Sequence, residues 1–460
     1  MVRRSVVDMN PQGERWTTDQ VLALAPDEAS RRAGGKLAAP GPWSDAGAGG
    51  SAVWGQCKGS GKKPYQTVVD LNGPAFKCSC PSRKFPCKHA LGLLLLWAGG
   101  GGEVPSGEPS PWAGEWLAGR RERTERAAGA PSGAGAPSRA PADPEAARRR
   151  AERRMQRIGA GATELEQRLA DLLQSGLASA ESGGGSWDET AARMVDAQAP
   201  GLAARVRELS SVVASGPDWP ARMLEECALL HLLDQGFLGI ERLPGPLAAT
   251  VRSRVGLTTE AADLLTGSDA ATVRDRWLVL AQQDSADGAL LTRRIYLRGE
   301  RTGRMALHLS FGGSSRPLDL ALPPGLVLDA DLAYYPGARP LRATLGERHA
   351  PAAPGAVPPG GGVDAALAAY GDALRDDPWL DSWPVVLSEV TPIPGRDGTG
   401  WQLADADGES ALPLDPRALG RTGLWQLAAI SGGAPITVFG ECGHRGFLPL
   451  TAWDPTPVSL

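Results

Sequence analysis

The 460-residue chain reads as a multidomain α+β protein on three observations made along its length. Near the N-terminus, two short period-two segments and a Cys/His cluster precede an apolar run, the pattern of a small ββα-type module. From about residue 144 to 282, apolar residues step by three and four, which predicts an all-helical middle domain. From Leu290 onward the period falls to two, which predicts a β-rich C-terminal region. A chain this long is expected to hold two or three cores, since domains run to about 100–150 residues.

The elements of the first module follow from local signals. Thr17-Thr18-Asp19-Gln20 has capping-box spacing ahead of Val21-Leu22-Ala23-Leu24, and Pro26-Asp27-Glu28 opens a second short helix. After a loop from Ala46 to Gly50, Ala52–Cys57 and Tyr65–Leu71 read as strands. Asn72-Gly73 is a hairpin signal, and Phe76-Lys77-Cys78-Ser79-Cys80 is extended until Pro81 ends it. Ser82-Arg83-Lys84-Phe85-Pro86 returns the chain, and Ala90–Trp97 reads as a buried helix. The module is bounded as 1–98.

Within it, Cys78, Cys80, Cys87 and His89 fall inside twelve residues of a chain that has only 6 cysteines and 5 histidines. Thiolate sulfur and imidazole nitrogen make the tetrahedral shell that Zn²⁺ prefers, and four protein ligands leave no position for an activated water. In an extended stretch, residues two apart point to the same side, so Cys78 and Cys80 can face one ion. Residues two apart on a helix diverge by about 200°. Cys87 is therefore expected just before the first turn, with His89 inside it. A disulfide pair or buried free thiols are the competing uses of these cysteines. Disulfides belong to oxidising compartments, and the basic start Met1-Val2-Arg3-Arg4-Ser5 is followed by no apolar stretch of a signal peptide.

The spacing CxC-x6-CxH, with a strand before it and an apolar helix after it, resembles the bacterial SWIM zinc finger family. The resemblance takes in Pro81–Pro86 and Lys88–Leu93, and the phrases Met194–Leu202 and Val273–Leu280 look like regions that accompany such fingers. It implies one structural Zn²⁺ and a role in binding DNA or protein. It also implies a MoxR-type ATPase or a von Willebrand A-domain protein as partner in a chaperone-like complex.

Charge is unevenly spread. The net charge of -4 argues against a protein that coats nucleic acid along its whole length. Yet 55–96 carries seven basic residues against the single acid Asp70. All seven lysines of the chain lie between Lys36 and Lys88, which points to a use for a compact, strongly hydrated ammonium. Lys58, Lys62, Lys63, Arg83, Lys84 and Lys88 are the candidate contacts to nucleic acid or a partner; the alternative is a solvated face on a small module. No stretch approaches the ~18 consecutive apolar residues of a membrane span. A cytoplasmic protein with no membrane association is the expectation.

Residues 99–143 are rich in Gly, Pro, Ala and Ser and read as a flexible linker. A short element from Trp112 to Arg126 interrupts it, with Trp112, Trp116 and Leu117 available to dock on a neighbour and Arg120, Arg121, Arg123 and Arg126 expected in solvent. Asp143-Pro144-Glu145 then starts a strong helix, whose Met155, Ile158, Ala162, Leu165, Leu169 and Leu172 form one face. The arginines at 148, 149, 150, 153, 154 and 157 read as a solvated face, because Glu145 and Glu152 interleave with them. Further helices are expected from Ser186, over Leu202–Val213, over Ala221–Phe237 and over Thr259–Leu265. A β-rich domain spans 288–349, with strands at Arg294–Arg298 and Met305–Phe311 around a Gly299–Gly303 turn. A second Gly/Pro-rich linker covers 350–364. The C-terminal domain, 365–460, opens with a helix at Ala365–Leu374 and adds strands at Val385–Leu387 and Ile436–Phe439.

Other constellations carry less. Gly55 to Gly61 has one residue too many for the GxxxxGK spacing of a phosphate-binding loop, and Lys63 stands where a hydroxyl would hold Mg²⁺. Cys57 reads as a buried strand cysteine. Cys227 and His231 share a helix face with Leu224 and Leu230 and read as core. Cys442-Gly443-His444 reads as a loop before Phe447–Leu450. His308 alternates with Leu307 and Leu309, His349 precedes the second linker, and neither has a nucleophile or acid beside it. No catalytic motif is present, so no catalytic residue and no small-molecule substrate is assigned. The leading reading is a non-catalytic zinc-binding adaptor. Two others stand beside it: an enzyme with the finger as targeting module and catalysis in the β-rich half, and a purely structural scaffold.

Overall fold

The computed structural model describes residues 16–25, 28–49, 52–59, 63–71, 75–82, 84, 86–100, 102–129, 144–177, 184–266, 272–287, 290–312, 320–350, 352–395, 400–418 and 423–460. Two short helices, α1 (Thr18–Ala23) and α2 (Glu28–Gly35), lead into an antiparallel sheet of β1 (Trp43–Gly49), β2 (Ala52–Cys57), β3 (Tyr65–Asp70) and β4 (Ala75–Cys78), in that order. The capping box forms: the Gln20 amide donates to the Thr17 hydroxyl, and the Thr17 amide donates to the Gln20 side chain. β1 replaces most of the expected loop. Its Ala/Gly-rich segment has little strand preference of its own, and pairing with β2 supplies what the side chains do not. The hairpin signal Asn72-Gly73 lies outside the described residues.

Helix α3 (Lys88–Ala98) buries nine residues, from His89 to Trp97. It crosses α2 closely, since a Cβ on Gly92 would sit 2.5 Å from the Cβ of Leu37, and one on Gly34 would sit 2.8 Å from that of Leu91. The other face of the sheet is covered by α4 (Pro111–Gly129), whose Ala113 and Leu117 pack with Ala52, Trp54 and Val68. This segment was expected inside a flexible linker. It is instead an outer layer of the first module, fastened by Arg120 to Asp70 at 3.0 Å. Arg120 is thus an ion-pair partner in place of a free solvated cation.

Among the described residues, the middle region is built from α5 (Pro144–Ser175), α6 (Gly184–Asp196), α7 (Pro200–Val212), α8 (Trp219–Leu238) and α9 (Gly245–Val255); the short α10 (Ala261–Thr266) follows. The α5 face is as expected, with Ile158, Ala162, Leu165 and Leu169 in the core and Met155 and Leu172 at its margin. The helical region does not run to 282, because 272–287 is the strand β5 (Thr272–Asp287). Trp277 and Val279 face one core while Leu278 and Leu280 face another. Burial on both sides yields a continuous apolar run, which periodicity does not distinguish from a buried helix.

β5 starts a closed barrel with β6 (Leu290–Gly299), β7 (Met305–Gly312), β8 (Leu326–Tyr334) and β9 (Arg342–Arg348). The first four stand in the Greek-key order β8-β5-β6-β7. β9 closes the ring, parallel to β7 and antiparallel to β8. Inside the predicted second linker, β10 (Ala353–Pro354) pairs with β8, and Gly361 bridges to Leu387.

The C-terminal domain comprises α11 (Val363–Asp376), β11 (Ser382–Ile393), β12 (Gln402–Asp405), β13 (Ala411–Pro413), α12 (Gly423–Ser431), β14 (Ile436–Gly443), β15 (Gly446–Asp454) and β16 (Thr456–Ser459). Its strands run in the order β13-β12-β11-β14-β15-β16. It packs on the barrel through Tyr296, whose ring lies 5.3 Å from that of Phe439 and whose hydroxyl donates to Glu441 at 2.6 Å. Trp379 reaches the other way, into the helical core, and its indole donates to the Leu229 carbonyl at 2.9 Å.

Candidate metal centre

The β3–β4 ladder brings the first ligand into place. Thr67 stands opposite Cys78, and the Ser79 amide still donates to the Gln66 carbonyl at 3.0 Å. Pairing stops there, so Cys80 lies just past the strand instead of within it. Cys87 is the N-cap of α3, in extended conformation, and His89 is its second helical residue. The geometric expectation holds: one ligand before the turn and one inside it converge.

The four donor atoms lie within 4.8 Å of one another, with the Cys78 sulfur 3.7 Å from His89 Nδ1. Cys87 and His89 are buried, and Cys78 and Cys80 are half-buried. Three sulfurs and one imidazole nitrogen at this spacing fit a tetrahedral Zn²⁺. The thiols do not share protons evenly. Donation from the Cys87 thiol, helped by His89, Thr67 and the Cys80 amide, holds Cys78 down to about 4. Cys87 is pushed up, chiefly by that same hydrogen bond and by burial. Burial also raises Cys80. One thiolate thus discourages the next, and a dication at the centre removes that conflict.

Around the ligands, the Tyr65 ring lies 4.9 Å from that of His89. The buried Thr67 hydroxyl sits 3.2 Å from the Cys78 sulfur. Thr67 was not singled out from the sequence, though its place opposite Cys78 in the hairpin register is the signal that identifies it. Lys58, Lys63, Lys84 and Lys88 are exposed, while Lys62 and Arg83 lie outside the described residues. Burial is the main cause that raises the Cys57 thiol, and the charges of Cys78, Lys88 and Cys80 act on it in turn. The β2 end, the knuckle and the start of α3 therefore meet.

Residues 68–98 match the SWIM zinc finger, and residues 153–255 match the SWIM-associated four-helix bundle domain. The chain carries a SWIM zinc finger. Its Cys₃His set accounts for one structural Zn²⁺ held by Cys78, Cys80, Cys87 and His89. Neither the curated proteins nor the solved structures give a match to the chain.

Away from the SWIM finger, the pair Cys227 and His231 and the pair Cys442 and His444 do not converge. Cys227 is buried, while His231 turns outward to Glu166 at 2.8 Å. Cys442 is buried at the end of β14, with His444 exposed in the following turn. Most of the α5 arginines form a solvated face, with Arg148 paired to Glu152 and Arg149 to Glu145, whereas Arg154 is half-buried and donates to the Gly256 carbonyl at 3.2 Å. Among the described residues, no helix is long and apolar enough to cross a membrane.

Proposed function

We propose that the chain is a non-catalytic adaptor whose SWIM finger presents a lysine-rich end to DNA or to an acidic protein partner. The closure of the metal shell carries this reading. All four positions are filled by protein, so the ion holds the fold and does no chemistry of its own. Both broad faces of the finger sheet are covered, by α3 and α4, which leaves the zinc end with exposed Lys58, Lys63, Lys84 and Lys88 as the accessible polar surface. A MoxR-type ATPase or von Willebrand A-domain partner, implied by the family resemblance, is the protein version of the same reading. A cytoplasmic setting accords with free cysteines throughout the described chain.

Zinc content and salt dependence test it. Full-length protein purified without added metal should retain one zinc, and Cys78→Ser should lose it. If DNA is the partner, duplex binding read by fluorescence anisotropy should weaken about 100-fold between 50 and 200 mM salt for about four phosphate contacts. It should weaken further in Lys84→Glu/Lys88→Glu. Salt-insensitive or absent DNA binding leaves the protein partner, to be read by capture of the ATPase with and without the same double variant. Failure of both overturns the adaptor reading.

One observation favours the enzyme reading. A cavity of about 840 Å³ opens where the helical region, the β8–β9 loop and the C-terminal sheet meet, and Glu226, Asp381, Asp415, Arg417 and His444 line it. Its arginines are largely committed, Arg254 to Asp377 at 2.7 Å and Arg417 to Asp415 at 2.6 Å. That commitment makes the cleft a domain joint before it makes it a catalytic pocket.

A further inference from the structure

We propose that Asp331, Glu347 and His349 form a second metal site, on the barrel, for a divalent first-row cation of the Zn²⁺ class. Their donor atoms lie within 4.8 Å of one another, the same limit that the SWIM finger ligands satisfy; among the described residues these are the two groups that do so. His349 Nε2 is 2.9 Å from Asp331 Oδ2. Ligands at metal–donor distances of about 2.0–2.2 Å stand about 3–3.5 Å apart around one ion, so little rearrangement is needed.

The fold builds the group from distant sequence. Ala330 pairs with Arg348 and Leu332 with Leu345, so a bulge sets Asp331 against two residues of β9, Gly346 and Glu347. Glu347 and His349 are two apart on an extended segment and therefore share a side. The His349 amide donates to the Asp329 carbonyl at 2.8 Å, which fixes the backbone just past the strand.

Electrostatics supports an ion. Two carboxylates meet at one spot, and the nearby guanidinium of Arg274 is committed to Asp329 through contacts of 3.0 and 2.9 Å. Glu347 forms no ion pair among the described residues. A dication would neutralise the like-charge pair while the imidazole supplies the nitrogen that first-row metals favour over Mg²⁺ or Ca²⁺. Three protein ligands leave a position for water or an outside oxygen ligand. The site thus differs in kind from the closed finger.

Zinc counting on untagged full-length protein tests the proposal. After dialysis against micromolar zinc, wild type should hold one more zinc per chain than His349→Ala, and Asp331→Asn should match His349→Ala. Cys78→Ser should lose only the finger ion and keep the extra one, so failure of the finger reading and failure of this one are separable. An unchanged melting profile of His349→Ala in chelator-treated samples would show that the loss is not unfolding. Equal zinc content in wild type and His349→Ala, at any total, overturns the second site.

Discussion

Two side chains test the local chemistry. The Thr67 hydroxyl against the Cys78 sulfur is an outer partner of a metal ligand, and such partners are typically worth 10–100-fold in affinity. Thr67→Val keeps the shape and removes the donor. It should lower zinc affinity by about tenfold or more in competition with a chelator, with the fold retained. Asp234 is a different case: it is wholly buried in the helical core, and neither carboxylate oxygen has a hydrogen-bond partner among the described residues. Burial, with Glu166 nearby, pushes it up to about 8. The folded state therefore binds a proton that the unfolded chain, titrating near 4, releases. Its contribution to stability is full below about pH 4, falls as pH rises towards 8, and is flat above that. The rise from near 4 to about 8 sets an upper bound of about 6 kcal/mol on the loss. Asp234→Asn should flatten this dependence, which thermal melts at pH 5 and pH 8.5 will show.

At the level of elements, legibility tracked how local the signal was. The capping box, the zinc ligands and the α5 stripe each sit within a few turns of chain, and all three formed. β1 did not announce itself, because an Ala- and Gly-rich segment carries weak intrinsic preference and becomes ordered only against a partner. Trp112, Trp116 and Leu117 marked α4 as something that could dock, but not on what. The second metal group was illegible for the same reason, since Asp331 and Glu347 meet only across a bulge. The docking of α4 is open to measurement. Leu117 is 7% exposed against the sheet, so Leu117→Ala should cost about 2–3 kcal/mol in urea unfolding of the full chain. It should also loosen zinc retention, because β3 carries both Thr67 and part of the apolar seam beneath α4.

Over the whole molecule, the modules lean on one another. The finger core and the barrel interior belong to one apolar cluster, and the barrel exterior shares another with the C-terminal sheet. No local pattern records the ring order of the barrel, because the parallel β7–β9 pair joins segments more than thirty residues apart. The helical region is attached through Trp379, through the ion pair of Arg254 with Asp377, and through the Ala338 amide, which donates to the Thr250 hydroxyl at 2.8 Å. Trp379→Ala should therefore remove about 3–5 kcal/mol and let the helical region melt ahead of the rest. Calorimetry would then show two transitions in place of one.

The covering of the finger sheet by α4 also fixes where this protein can be cut. A segment that stops at Ala98, where the motif itself ends, would keep every zinc ligand yet lay Ala52, Trp54 and Val68 open to water. Such a piece would be sticky for reasons unrelated to any partner. The folding unit is therefore longer than its signature: the zinc motif needs a helix that begins a dozen residues beyond it.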